Sequence, residues 1–495
     1  MKRKCVGYLF LFLLGIFIAI HWEWAEKIGT EIKLSPIYSS TIDFNEYLFP
    51  DPDKTTYVMN LNLDTGNRCL YGKSLISTVN TSGRPLAELW LTVYPNAFNL
   101  DTETPAPLDA YYSGFNPGGL EVEKLTVNGQ DTLITYEGIS LSVILGHDIM
   151  MDEKIDVAIE WTVKVPRVSY RLGTKNGIYM LSAFYPQLNV LDDNGWKKSY
   201  NSKFGDPFCF HSAEYLVHLD VPEQYVPIGM PVIERTTLED NGRQRYTMSG
   251  KKWRSFALAL MFDYSAETVT LNKTAVRCFV PGRRPQTARF YAEKTKQILN
   301  YFNGAYGSYP YKELNVVFVP MKGFQGMEHS GLVFINDEFL EDETANEQQI
   351  TLTLAHEIAH QWWYGVVGND QMQEPWLDEG LANWAAYKYY IDNENGSGPA
   401  LGTSYPRNLA RGLNSFSSRD EYYKGVYNNG AQFWFELENQ VGEEKMSMIL
   451  HRYWADYQYK IATTQDLFNA IHKEAPKNID AFLNKWFVLN RTDKS

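Results

Sequence analysis

Near Pro285 the hydrophobic period of this chain changes, and that change constrains the fold more than any other feature of the sequence. Before it, apolar residues alternate with mostly polar partners: Tyr57, Met59, Leu61 and Leu63; Ile155, Val157, Ile159, Trp161 and Val163; Tyr215, Val217, Leu219 and Val221. Period two is the mark of strands with one buried face. With Asn-Gly and Ser-Gly turns between the runs, it gives a mostly antiparallel β-domain over 55–265. After it the period lengthens to that of helices, first through Phe290, Ala292, Ile298 and Phe302. Helical patterns recur near 346–364, 376–392, 429–441, 443–457, 464–473 and 478–489, with short strands at Leu314–Val319 and Gly331–Ile335. The expected class is α+β and multidomain, the β-domain preceding a helix-rich domain over 266–495. A length of 495 residues suits two or three hydrophobic cores.

The first residues follow another logic. Lys2, Arg3 and Lys4 precede an apolar run from Cys5 to Ile20 and then His21-Trp22-Glu23-Trp24, a basic region followed by a hydrophobic segment. The run is shorter than the roughly 20 residues of a spanning helix, but the tryptophans suit an interface. No small-residue cleavage pattern follows it, so 1–24 reads as an uncleaved signal-anchor in preference to a removed signal peptide. That places the rest of the chain outside a cell membrane crossed once, with a secreted form as the alternative. Residues 25–54, with Pro36, Pro50 and Pro52, read as a stalk. The net charge of −13 has no basic block beyond the first residues, which excludes nucleic acid as a natural partner. Cys5, Cys69, Cys209 and Cys278 lie far apart, so no cysteine metal site is indicated, and a bridge from Cys209 to Cys278 or Cys69 has no support. Asn80, Asn272, Asn395 and Asn490 begin glycosylation triplets that chance alone explains.

Chemistry enters with His356-Glu357-Ile358-Ala359-His360 inside a helical pattern. Residues i and i+4 share a helix face, so both imidazoles can hold one zinc ion with Glu357 beside the open coordination position. A catalytic zinc usually takes three protein ligands. Eighteen residues separate His360 from Glu379, which lies in Glu374-Pro375-Trp376-Leu377-Asp378-Glu379-Gly380 and can supply the third from a following helix.

With these residues the sequence resembles the gluzincin aminopeptidases, the family of membrane alanyl aminopeptidase and leukotriene hydrolase, and in length their short bacterial members. Gly326-Met327-Glu328-His329 resembles the family's G-x-M-E-N segment, with Gln325 where the first glycine is usual and His329 in place of asparagine. The resemblance implies that Gly326, Met327 and Glu328 bind substrate, Glu328 holding the free amino group, while His329 shapes the cleft. It implies a tyrosine that donates to the developing oxyanion. Tyr427, in Tyr427-Asn428-Asn429-Gly430-Ala431, resembles the family's Y-x-K-G-A helix start, and Tyr423 is the second candidate. It also implies a thermolysin-like catalytic domain, one zinc ion, Glu357 as general base and peptides with a free amino terminus as substrates. The alternatives are an endopeptidase or other hydrolase on this scaffold, or an inert surface-binding homologue.

Overall fold

The computed structural model describes residues 54–238, 242–394 and 407–487. The segment 1–24 and all but the last residue of 25–54 lie outside these, as do Asn395 and Asn490. Among the described residues no helix is long and apolar enough to cross a membrane.

The alternating runs form strands. β1 (Thr56–Asp64), β2 (Cys69–Val79), β3 (Gly119–Val127), β4 (Gln130–Asp131), β5 (Lys154–Lys164), β6 (Ala213–Pro222), β7 (Val232–Leu238) and β8 (Arg243–Trp253) make one sheet in the order β7-β8-β6-β1-β2-β5-β3-β4. Neighbours are antiparallel except β1 and β6, which are parallel. On β5 the residues from Ile155 to Val163 at every second position are buried and those between are half-buried, as period two requires. Trp161 faces Gly72 across the β2–β5 pair, where a Cβ would fall 2.2 Å from the indole; its Nε1 donates to Ser74 Oγ at 2.9 Å. Two four-stranded sheets complete this part, one from 86–92, 133–137, 140–149 and 187–188, the other from 172–175, 178–181, 226–228 and 258–261.

A five-stranded sheet begins the second part, built from β9 (Tyr264–Leu271), β10 (Thr274–Pro281), β11 (Glu313–Val319), β12 (Gly326–His329) and β13 (Leu332–Asn336) in the order β9-β10-β11-β13-β12. β10, β11 and β13 run parallel, and β11 and β13 are buried along nearly their whole length rather than at alternate positions. β12 is the antiparallel edge strand. Among the described residues, besides a four-residue helix Arg419–Tyr422, the helices that follow or intervene are α1 (Pro285–Tyr306), α2 (Glu343–Ala359), α3 (Trp376–Asn393), α4 (Asn429–Val441), α5 (Glu443–Tyr457), α6 (Thr464–Glu474) and α7 (Asp480–Trp486).

α2 starts where the Asp342 side chain accepts from Ala345 N–H, and it ends at Ala359, five residues short of the end expected from the apolar pattern. Trp362 and Trp363 continue that pattern, but they are buried in a turn against Tyr306 of α1, and Tyr364 takes a φ of 146° that no helix allows. Burial of the indoles, not helical winding, explains their apolarity. Arg254, 1% exposed, spans both parts of the molecule. It donates to the carbonyls of Phe210, Tyr364, Val366 and Lys460 at 2.5–3.2 Å. Cys69, Cys209 and Cys278 are free thiols. Asn80 is 2% exposed and spends its amide on the carbonyls of Arg84, Ile149 and Met150, which leaves nothing for a glycan.

Candidate active site

His356 and His360 lie one turn apart at the end of α2, and Glu379 lies in the first turn of α3, where Pro375 opens the helix and the positive end of the dipole favours a carboxylate. The facing atoms form a triangle: His356 Nε2 to His360 Nε2 3.0 Å, His356 Nε2 to Glu379 Oε2 3.1 Å and His360 Nε2 to Glu379 Oε2 3.3 Å. A tetrahedral ion bound at about 2.0–2.1 Å sets its ligand atoms about 3.3–3.4 Å apart, so the triangle fits such an ion. His360 Nδ1 meets the Trp363 carbonyl at 3.0 Å, which fixes the proton on that nitrogen and turns the Nε2 lone pair to the centre. Although burial opposes it, the two histidine contacts hold Glu379 well below the usual carboxylate range. Among the described residues this is the one group of three or more histidine, cysteine or acidic side chains placed to share a metal.

The triangle lies in a cleft of about 520 Å³. Glu357 reaches the same space from α2, 6% exposed and with Oε2 unpartnered. Gly326 makes room for it, since a Cβ there would stand 2.3 Å from Glu357 Oε1. Burial, and after it the charge of Glu328, pushes the Glu357 carboxyl well above its ordinary pKa. Glu328 comes from β12, also 6% exposed, and accepts only a long contact from Gln371 Nε2 at 3.4 Å. Burial and the neighbouring Asp206 raise its pKa. A buried carboxyl so poorly matched by cations has the chemistry to accept an ammonium group. Met327, between Gly326 and Glu328, is buried but lines the cleft too. His329 stands apart from the metal triangle. Its Nε2 is buried without a partner, its ring packs edge-on against Phe334 at 5.2 Å, and burial followed by the charge of Arg171 pushes its pKa down to about 3.

Tyr427 lies in a π-helical turn, Tyr423–Asn428, just before α4. Such turns recur at functional sites. Its phenol donates to Glu379 Oε1 at 2.5 Å and its ring stacks on His356 at 5.7 Å. Tyr423 stacks on the outer face of Tyr427 at 5.0 Å and is 45% exposed, with no bond to the triangle.

Four contributors carry no motif. Asp206 brings a carboxylate to the cleft wall from the β-rich part and is paired with the buried Arg171, which lies 4.4 Å over the Phe324 ring. Asp378, beside Glu379, accepts from Asn369 Nδ2 at 2.9 Å and Gln371 Nε2 at 2.8 Å. Gln361 holds the β12–β13 turn by accepting from Gly331 N–H at 2.8 Å and donating to the His329 carbonyl at 3.0 Å. Asn383 donates to the Tyr427 carbonyl at 3.2 Å. Only the positions of Gln361, next to His360, and Asp378, next to Glu379, could have drawn notice in the sequence.

Residues 290–486 match the peptidase family M1 domain. Over that stretch the chain is similar to the M1 peptidases. Aminopeptidase M1-B of Oryza sativa subsp. japonica is 28% identical over 302 residues, 55% of this chain and 34% of that protein. Glutamyl aminopeptidase of Homo sapiens is 22% identical over 304 residues, 55% of this chain and 31% of that protein. The chain thus spans about a third of the length of these curated relatives. Among solved structures, a mutant M1 zinc metallopeptidase from Deinococcus radiodurans superposes with a TM-score of 0.64 at 16% identity, over 90% of this chain and 98% of that one. The same metallopeptidase bound to a Tyr-Ser-Ala substrate gives 0.62 at 16%, over 89% and 96%. The architecture of this chain, a β-rich amino-terminal domain followed by a helix-rich domain, matches that two-domain fold.

Proposed function

We propose that this chain is a zinc aminopeptidase, removing the amino-terminal residue from peptides. One observation carries the reading: a buried, nearly unmatched carboxylate, Glu328, on the edge strand of the cleft that also holds the metal triangle and Glu357. His356, His360 and Glu379 would hold the ion. When bound, zinc lowers the pKa of a coordinated water and polarises the scissile carbonyl. Glu357 accepts the proton of the attacking water and returns it to the departing amine. Tyr427 donates its phenolic hydrogen toward the oxygen on which charge develops. Glu328 pairs with the substrate ammonium and so sets the first peptide bond, and no later one, against these groups.

The test compares one peptide with a free and an acetylated amino terminus. A hydrogen bond to a charged group is worth about 1.5–3 kcal/mol and more when the other partner is left buried, so acetylation is expected to lower kcat/KM by at least about 10²-fold. Glu328→Ala is expected to weaken cleavage of the free peptide and to narrow the gap. Efficient internal cleavage of acetylated peptides by the wild type would make the chain an endopeptidase and end the proposal.

A further inference from the structure

One face of α3 makes three contributions to the same neighbour. Glu379 accepts the Tyr427 phenol, Asn383 one turn later donates to the Tyr427 main-chain carbonyl, and Gly380 between them lies against Gly430, three residues beyond Tyr427. That last contact is backbone on backbone. A Cβ on Gly430 would fall 2.5 Å from Gly380 Cα, and one on Gly380 would fall 2.7 Å from Gly430 Cα. Neither glycine has a positive φ, so no turn requires them, and both sit within helices where glycine is the poorest residue after proline. Their smallness serves the approach of α4 to α3. Asn383 lines the cleft and is 8% exposed.

We infer that Asn383 and the Gly380–Gly430 contact are positioning elements that set how far the Tyr427 phenol reaches toward the reacting carbonyl. This rests on the reading of Tyr427 as an oxyanion donor. To donate there, the phenol must release Glu379, and its own polar anchor is then gone. Its ring keeps its stacking on His356 and Tyr423, and its main chain is held by the bond from Asn383 to its carbonyl and by the fixed spacing of the two helices. The restraint acts on the main chain and leaves the phenol free to change partner.

The full zinc-loaded chain, carrying Asn383→Ala, Asn383→Asp or Gly430→Ala, alone and with Tyr427→Phe, gives the test. Readouts are kcat and KM on an amino-terminal amide, zinc content by elemental analysis, and the unfolding midpoint. Asn383→Ala is expected to lower kcat about 10-fold and Gly430→Ala about 10²-fold, the scale of an ångström of misplacement, with KM within about twofold and one zinc retained. Asn383→Asp, which sets an acceptor against the carbonyl, is expected to fall at least as far as Asn383→Ala. Neither the Asn383 nor the Gly430 change should lower kcat further once Tyr427 is phenylalanine. Losses that multiply with Tyr427→Phe overturn the inference, as does unchanged kcat in Asn383→Ala. Loss of zinc overturns it too, since the contacts would then serve Glu379. If Gly430→Ala fails to fold, the two Asn383 variants decide. Full kcat in Tyr427→Phe alone removes the Tyr427 reading itself and the inference with it.

Discussion

Glu357 and Glu328 are both glutamates, both buried in one cleft, and their surroundings assign them different work. Glu357 projects from the metal-binding turn of α2 with one oxygen unpartnered, so it can take a proton, whereas Glu328 lies on an edge strand where an extended chain can reach it. Glutamine at 357 keeps the shape and removes the basicity. Glu357→Gln is expected to retain one zinc by elemental analysis while kcat falls by about 10² to 10⁴-fold; loss of the metal would make Glu357 structural instead. Residues of this kind were legible because their chemistry is local. His356, Glu357 and His360 share one helical turn, and Glu379 follows at a readable spacing. Asp206 and Asn383 were not legible. Each is an unremarked polar residue until the fold sets it beside Arg171 or the Tyr427 carbonyl.

At the scale of elements, helices with regular patterns fell close to their expected bounds, α3 at 376–393 and α5 at 443–457 among them. The end of α2 did not, because Trp362, Trp363 and Tyr364 prolong the apolar pattern without prolonging the winding. That early end has a use. It frees Gln361, fully buried, to clamp the turn between β12 and β13 with two hydrogen bonds, which join the strand carrying Glu328 to the end of the helix carrying His360. Truncating Gln361 leaves the Gly331 N–H and the His329 carbonyl without partners in a dry interior, each costing about 1–3 kcal/mol. Gln361→Ala is expected to lower stability by about 2 kcal/mol or more, read from the denaturant midpoint at unchanged m-value. A shift under about 0.5 kcal/mol would mean that water or a neighbour replaces the amide.

Across the whole molecule, the β-rich part closes one side of the cleft through Asp206, and Arg254 ties it to the turn after α2. Neither link is readable from a single sequence, since each joins segments more than a hundred residues apart or rests on a buried guanidinium without a motif. These links also make the cleft a place where Glu328, Glu357, Glu379 and Asp206 gather, with Arg171 paired to Asp206 alone among them. Such a gathering of buried carboxyls favours a bound cation and disfavours its absence. The metal is therefore expected to support the fold as well as the reaction. A ligand that binds only the folded state stabilises it by RT ln(1 + [L]/Kd), about 4 kcal/mol at a thousandfold excess over Kd. Chelation is accordingly expected to abolish activity and lower the unfolding midpoint by several degrees, and added zinc to restore both. Glu379→Ala should remove the zinc-dependent part of the midpoint. Full activity in protein shown to be metal-free would end the zinc assignment, whereas a midpoint that ignores chelation would confine the ion to the chemistry and leave Glu328 and Glu357 to be accommodated by protonation.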